Sequence, residues 1–293
     1  MHYPASWWRD TWREALVCGN GRMGASFYGG TRLQTIMITD GELWYGGFED
    51  TLPDVHDALE RMRAKMDRGE YREASWEIVN ELREKGYQTT LESPLPLADI
   101  KIEIDPKGGF QEYQKALNME TGEASCQWTD SGVLYRCDGF VSRADGIAVY
   151  RIRAQQPVIS ASFRTEFHRN PGTPIPETCR TMEENAQPEA SDGYLTYQSI
   201  NTDGLRYGMA VRITTNGKQK IQYGRIYVEE ADEIVLTIRS FIKDAGGDGI
   251  HRTKTFLSRL PESYESLFSR HVPLHRRKYL SARLELDGWQ NTD

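Results

Sequence analysis

Between Ile100 and Ile242 nearly every segment reads as β, with apolar residues recurring at a period of two. The pattern is clearest in Ala148/Tyr150/Ile152, Met209/Val211/Ile213 and Ile234/Leu236/Ile238. Turn pairs such as Asp145-Gly146 and Asn216-Gly217 punctuate these runs, which amount to roughly a dozen strands. A single open sheet of that many strands would curl or split, so the expected fold is mainly β, a large antiparallel super-β-sandwich. Ahead of this region, Ala25–Gly30 reads as a strand ending in a turn and Leu33–Thr39 as a second strand. Asp40-Gly41-Glu42-Leu43-Trp44-Tyr45-Gly46-Gly47 reads as a glycine-rich, aromatic loop.

Two stretches change period. Val55, Leu59, Met62 and Met66, then Tyr71, Ala74, Ile78 and Leu82, fall at helical spacing on either side of Arg68-Gly69, predicting an inserted helical hairpin over about 54–86. From His251 an apolar stripe of Phe256, Leu257, Leu260, Tyr264, Leu267 and Phe268 predicts a helix, with Pro261 as a break or start. A second short helix is expected over Leu274–Leu284. This divides the chain into a sandwich domain, 1–250, and a helical linker, 251–293. Residues 168–192, rich in Pro, Glu and Asn, read as the longest irregular connection, a surface loop or flap.

Composition removes several function classes. A net charge of -7 with interspersed charges argues against a nucleic-acid partner, whose phosphates need a concentrated basic surface. No apolar run is long enough to span a membrane, and Met1–Trp8 lacks the apolar core of a secretory signal, so a cytoplasmic chain, or one trimmed of its leader, is expected. Cys18, Cys126, Cys137 and Cys179 show no zinc spacing. Ser131-Gly132 has the form of a two-residue hairpin turn, whose register sets Cys126 opposite Cys137 and Trp128 opposite Tyr135. In a reducing compartment both should remain thiols. His271 and His275 are four residues apart, a metal-ligand spacing on one helix face, but Pro273 lies between them and no carboxylate pattern accompanies them. No metal and no cofactor is expected.

Gly19, Gly21 and Gly24 fit the G-x-G-x-x-G spacing of a dinucleotide fingerprint, which requires a helix directly after the glycines. Ala25–Gly30 reads instead as a strand, so a turn is the better reading. Glycines on both sides of Asn20 and beside Arg22 let the chain turn sharply and present two polar side chains to a cleft, or let them tie the turn to backbone carbonyls. Among the acidic residues, Asp40, Glu42 and Asp50 lie near Trp44 and Tyr45, where a ring could stack on a sugar. Asp-Gly before an aromatic is also ordinary turn chemistry.

In order along the chain, five blocks resemble the N-terminal region of glycoside hydrolase family 95, known mainly for α-L-fucosidases and related in architecture to family 65. They are Trp12–Leu16 with Gly19–Gly24, Asp40–Gly47, Gly69–Ala74, Tyr113–Met119, and Ser263–Leu267 with Arg270-His271-Val272. The resemblance implies a super-β-sandwich, a helical linker, and then an (α/α)6 barrel that holds the catalytic residues. The sequence reaches Asp293 about where such a barrel would begin, so no catalytic residue is assigned to this chain. Asn20, Arg22, Glu42, Trp44 and Tyr45 are the candidates for loops bordering the barrel's substrate cleft, with an α-L-fucoside or related carbohydrate as substrate. The alternative is a free-standing carbohydrate-binding or assembly module. The Phe256–Phe268 stripe separates the two: a linker leaves part of it seeking a partner, whereas an independent module buries it.

Overall fold

A computed structural model of the chain describes residues 14–45, 52–87, 93–169 and 177–284. Two compact units emerge, a helical insertion over Tyr45–Ser93 and a body made of the rest. The body opens with β1 (Leu16–Gly19), β2 (Met23–Phe27) and β3 (Leu33–Tyr45). It resumes with β4 (Ser93–Ile104), β5 (Phe110–Asn118), β6 (Glu123–Asp130), β7 (Val133–Val141), β8 (Ala148–Ala154) and β9 (Ile159–Glu166). After a short helix, which becomes α3 (Glu177–Glu184) once the two insertion helices are numbered, come β10 (Gln187–Ser191), β11 (Tyr194–Ile200) and β12 (Arg206–Thr215). The last strands are β13 (Lys218–Gln222), β14 (Arg225–Ala231) and β15 (Glu233–Asp244), followed by α4 (Gly249–Leu257) and α5 (Tyr264–Tyr279).

The strands form a seven-stranded sheet, ordered β1-β2-β3-β4-β9-β14-β13, facing an eight-stranded sheet, ordered β10-β11-β12-β15-β8-β7-β6-β5. This is the expected antiparallel super-β-sandwich. Alternation sets the faces: along β6 Ala124, Cys126, Trp128 and Asp130 are buried and the residues between them are half-buried. The β6–β7 hairpin has the predicted register, Cys126 opposite Cys137 and Trp128 opposite Tyr135. Ser131 and Gly132 both take positive φ, 51° and 79°, as this tight turn demands.

In β8 the alternation disappears, because both of its faces are covered. Tyr150 points between the sheets, stacking on Phe27 of β2 with ring centroids 5.4 Å apart. Val149 joins Phe140, Ala210 and Val235 on the outer face, where Leu257 of α4 and Tyr264 and Leu267 of α5 cover them. The Phe256–Phe268 stripe is therefore packed on the chain's own sheet.

Several expectations need correction. Asp40–Tyr45 is not a loop: β3 continues through it, since Met23 pairs with Asp40 and the Gly41 N–H donates to the Arg22 carbonyl at 2.7 Å. Asn216-Gly217 is not a hairpin turn within one sheet, because β12 and β13 belong to opposite sheets. It is an arch, in which Asn216 Oδ1 accepts from the backbone N–H groups of Asp232 and Glu233. Part of 168–192 is ordered as α3 and β10. No separate helix covers 274–284; α5 runs unbroken to Tyr279 with Pro273 inside it.

Within the insertion, α1 (His56–Asp67) and α2 (Tyr71–Glu84) form the predicted hairpin. Their buried contacts are Ala58 and Ala74, while Leu59, Met66 and Tyr71 of the expected stripes are exposed. Arg61 and Lys65 on α1 pair with Glu77 on α2 at 2.6 Å each, so charge as well as apolar contact joins the two helices.

Candidate functional site

The β1–β2 turn is built by one side chain. Asn20 Oδ1 accepts from the backbone N–H groups of Arg22 and Met23 at 3.0 and 2.9 Å, and Gly21 supplies the φ of +99° that the reversal needs. Asn20 Nδ2 donates to the Ser142 carbonyl at 3.0 Å, and Arg143 Nη1 donates to the Asn20 carbonyl at 3.0 Å. Asn20 thus closes the turn through Oδ1 and its N–H, and fastens it to the β7–β8 connection through Nδ2 and its carbonyl. Of its two sequence expectations, cleft lining and turn fastening, these bonds describe the second.

Arg22 extends outward, its side chain 62% exposed, with Nε 3.7 Å from the wholly buried Asp40 carboxylate. Asp40 Oδ2 also accepts from Ser240 Oγ at 2.8 Å, and Oδ1 accepts from the Glu42 N–H at 3.1 Å. A buried carboxylate is costly without such partners, so Asp40 acts as an internal tie between β3 and β15 across the two sheets. Glu42 and Trp44 lie beyond it, both exposed. Trp44 Nε1 donates to the Gly41 carbonyl at 2.8 Å, and the Trp44 carbonyl accepts from Asn201 Nδ2 at 2.9 Å. The indole is 45% exposed, with its N–H tied back to the strand. The side chain of Tyr45, together with Asp50, lies outside the described residues.

The structure brings Asn20, Arg22, Glu42 and Trp44 to one corner of the sandwich and adds residues that sequence reasoning missed. Asp145, in the β7–β8 turn, accepts an ion pair from Arg270 of α5 at 2.6 Å, and its carbonyl accepts from Arg239 at 3.2 Å. The Arg239 guanidinium lies 3.6 Å from the Phe256 ring centroid. Burial lowers its pKa from the usual value, and the nearby Arg22 charge lowers it further. Asp145-Gly146 was visible as a turn, but only the folded chain shows that the β7–β8 connection meets the 19–24 turn and that Asn201 meets β3. His271 and His275, the candidate metal spacing, both serve the backbone: His271 Nε2 lies 2.9 Å from the Thr121 carbonyl and His275 Nε2 3.1 Å from that of Met119.

Chemically, the corner offers an indole face, a guanidinium and a free-standing carboxylate on a rigid strand end. That set can stack on and hydrogen-bond to a polyol. Asp40 is the nearest second carboxylate in sequence, but both of its oxygens are engaged inward.

The family model described as "Glycosyl hydrolase family 65, N-terminal domain" matches residues 2–240. The chain belongs to this family. As a family 65 N-terminal domain, it is also similar to "Alpha-L-fucosidase 2" of Arabidopsis thaliana, at 25% identity over 94% of the chain and 36% of that protein. Its fold is similar to that of a solved structure named as a kojibiose phosphorylase from human microbiome. There the TM-score is 0.53 at 11% identity, over 92% of the chain and 36% of the other. The chain thus spans about a third of the length of both. Among the described residues, no helix is long and apolar enough to cross a membrane.

Proposed function

We propose that this family 65 N-terminal domain is the non-catalytic sandwich of a glycoside hydrolase of the family 95 type, acting on α-L-fucosides or related sugars. In this reading 1–250 is the sandwich domain and 251–293 leads to an (α/α)6 barrel that supplies the catalytic carboxylates. The corner formed by Arg22, Glu42 and Trp44, with Tyr45 beside them, borders the barrel's substrate cleft, and Asn20 holds that corner in shape. The observation that carries the reading is the exposed Trp44 ring near the end of β3, its Nε1 bonded to the Gly41 carbonyl and its backbone carbonyl to Asn201, in a chain that aligns with about a third of an α-L-fucosidase. Aromatic platforms of this kind bind sugar faces through their apolar side.

The test is hydrolysis of a chromogenic α-L-fucoside by the chain alone and by a protein extended through the reading frame beyond Asp293. The chain alone should be inactive and the extended protein active. Trp44→Ala in the extended protein should raise KM by roughly tenfold, the scale of about 1.4 kcal/mol of lost contact, with little effect on thermal stability. Asn20→Ala should instead lower stability by about 1–3 kcal/mol through its lost hydrogen bonds. Turnover by the chain alone, or an unchanged KM in Trp44→Ala, would refute the assignment.

One observation favours the second reading, a free-standing carbohydrate-binding or assembly module. Leu257, Tyr264 and Leu267 are buried against the sandwich itself, so the C-terminal stripe is already covered. Binding of an α-L-fucosylated oligosaccharide by the chain alone, abolished in Trp44→Ala, would support this module over the barrel-dependent domain.

A further inference from the structure

Two of the cysteines form a facing pair in a setting that differs from an ordinary core. Cys126 and Cys137 are direct cross-strand partners on β6 and β7, and both are free thiols. Directly opposed residues of antiparallel strands have Cα atoms about 4.5–5.5 Å apart, inside the roughly 4.4–6.8 Å range that a disulfide bridges. Neither sulfur is packed only by hydrocarbon. The Gln34 amide approaches both, at 3.6 Å from Cys137 Sγ and 4.0 Å from Cys126 Sγ, and Gln34 is itself oriented by Tyr150, whose hydroxyl donates to Oε1 at 2.8 Å.

Lys115 reaches the same place from β5. Its ammonium donates to the Tyr28 carbonyl at 2.9 Å and to the Glu14 carbonyl, which anchors it over the seam between the sheets. A hydrogen bond from Cys137 lowers the Cys126 thiol against the upward push of burial, and the Gln34 amide and the Lys115 charge add to the lowering. Burial pushes Cys137 well up. Lys115 is the direct cross-strand partner of Cys126, so of the two thiols Cys126 is the one beside a cation. A narrow recess with room for about one water-sized molecule is lined by Leu16, Lys115, Ser125, Tyr150 and both cysteines.

We propose that Cys126 and Cys137 are a thiol modification site: hydrogen peroxide, an oxidant scarcely larger than water, enters the recess and converts them to a reversible cross-strand disulfide. In the first step the Cys126 thiolate attacks one peroxide oxygen. The O–O bond breaks, Cys126 becomes a sulfenic acid, and the other oxygen leaves as water after taking up a proton. In the second step Cys137 attacks the Cys126 sulfur, the S–O bond breaks, the S–S bond forms, and the hydroxyl leaves as a second water with the Cys137 proton. Two thiols and one peroxide thus give one disulfide and two waters. A small dithiol reductant reverses the oxidation. The oxidised hairpin is stapled beside the Lys115 closure of the seam and resists opening.

Arg136 makes the test direct, because trypsin cleaves between the two cysteines and leaves Cys126 in the peptide 116–136 and Cys137 in 137–143. The folded full chain is treated with hydrogen peroxide, blocked with iodoacetamide, digested without reduction and mapped by mass spectrometry. The expected product is the linked pair 116–136/137–143, two hydrogens lighter than the summed thiol peptides. It should disappear with dithiothreitol and be accompanied by an unfolding midpoint roughly 2–6 °C higher. Cys137→Ser should stop at a Cys126 sulfenic acid that dimedone traps, and Cys126→Ser should leave Cys137 a thiol. Two carbamidomethylated peptides after peroxide treatment, or linkage of either cysteine to Cys18 or Cys179, would overturn the proposal. If the serine variants fail to fold, the map of the unaltered chain decides alone.

Discussion

His271 is fully buried beneath the sandwich corner, and both of its ring nitrogens are engaged. The backbone N–H of Arg143 donates to Nδ1 at 3.1 Å, which leaves the proton on Nε2 to be donated to the Thr121 carbonyl. Burial depresses its pKa from 6.5 to about 4, and the His275 and Arg143 charges push the same way. The folded state therefore holds a neutral ring that the unfolded chain protonates near pH 6.5. Stability contributed by this residue is complete above that pH, declines as pH falls toward about 4, and declines no further below it. The total loss is on the order of 3 kcal/mol. Denaturant unfolding measured from pH 7 to pH 4 should show this decline, and His271→Gln should flatten it; an equally steep profile in the variant would exclude His271 as the cause.

At the scale of the element, α5 is fixed to the sheet by a few deeply buried groups. Leu267 is fully buried against β8 and its neighbours. Tyr264 donates from its hydroxyl to Glu123 at 2.8 Å, and Arg151 stacks over the Tyr264 ring, its guanidinium carbon 4.0 Å from the centroid. Leu267→Ala should cost about 2–5 kcal/mol, read as a lower midpoint in urea, whereas an exposed linker helix would lose almost nothing.

The elements also show which information was local. The β6–β7 register was readable because Ser131-Gly132 and the flanking alternation are contiguous. The strand through Asp40–Tyr45 was not, because Asp40-Gly41 has turn chemistry and the partner that turns Asp40 inward, Ser240, is distant in sequence. The unbroken α5 was hidden for a similar reason. Pro273 costs a backbone hydrogen bond, and the contacts that hold the helix around it, from His271 to Thr121 and from His275 to Met119, come from another strand connection. At the candidate site, Trp44 could be named from sequence, but its second anchor, Asn201, could not.

For the whole molecule, the decisive feature is the path of the chain between layers. It crosses between the sheets at β4–β5, β8–β9, β9–β10, β12–β13 and β14–β15. Neither sheet is a continuous segment, so neither should fold alone. In particular β4, with Leu97, Ala98, Ile100 and Ile102 fully buried, pairs with β9 on one side. A chain ending at Val158 would leave that edge unpaired and should be recovered in aggregates rather than as a soluble monomer on gel filtration. A soluble, cooperatively unfolding fragment of that length would show that the first eight strands form a separate folding unit.

The same path bears on how the chain emerges from a ribosome. Strands β1 to β4 become available early, yet β14, which pairs with β9 and carries β13 at the sheet's edge, is complete only at Ala231. While the intervening residues are added, the inner faces of the early strands wait in water, and their pairing, rich in contacts distant in sequence, is intrinsically slow. Translation speed and chaperone shelter over this interval, more than the final stability of the sandwich, would then set the yield of folded protein.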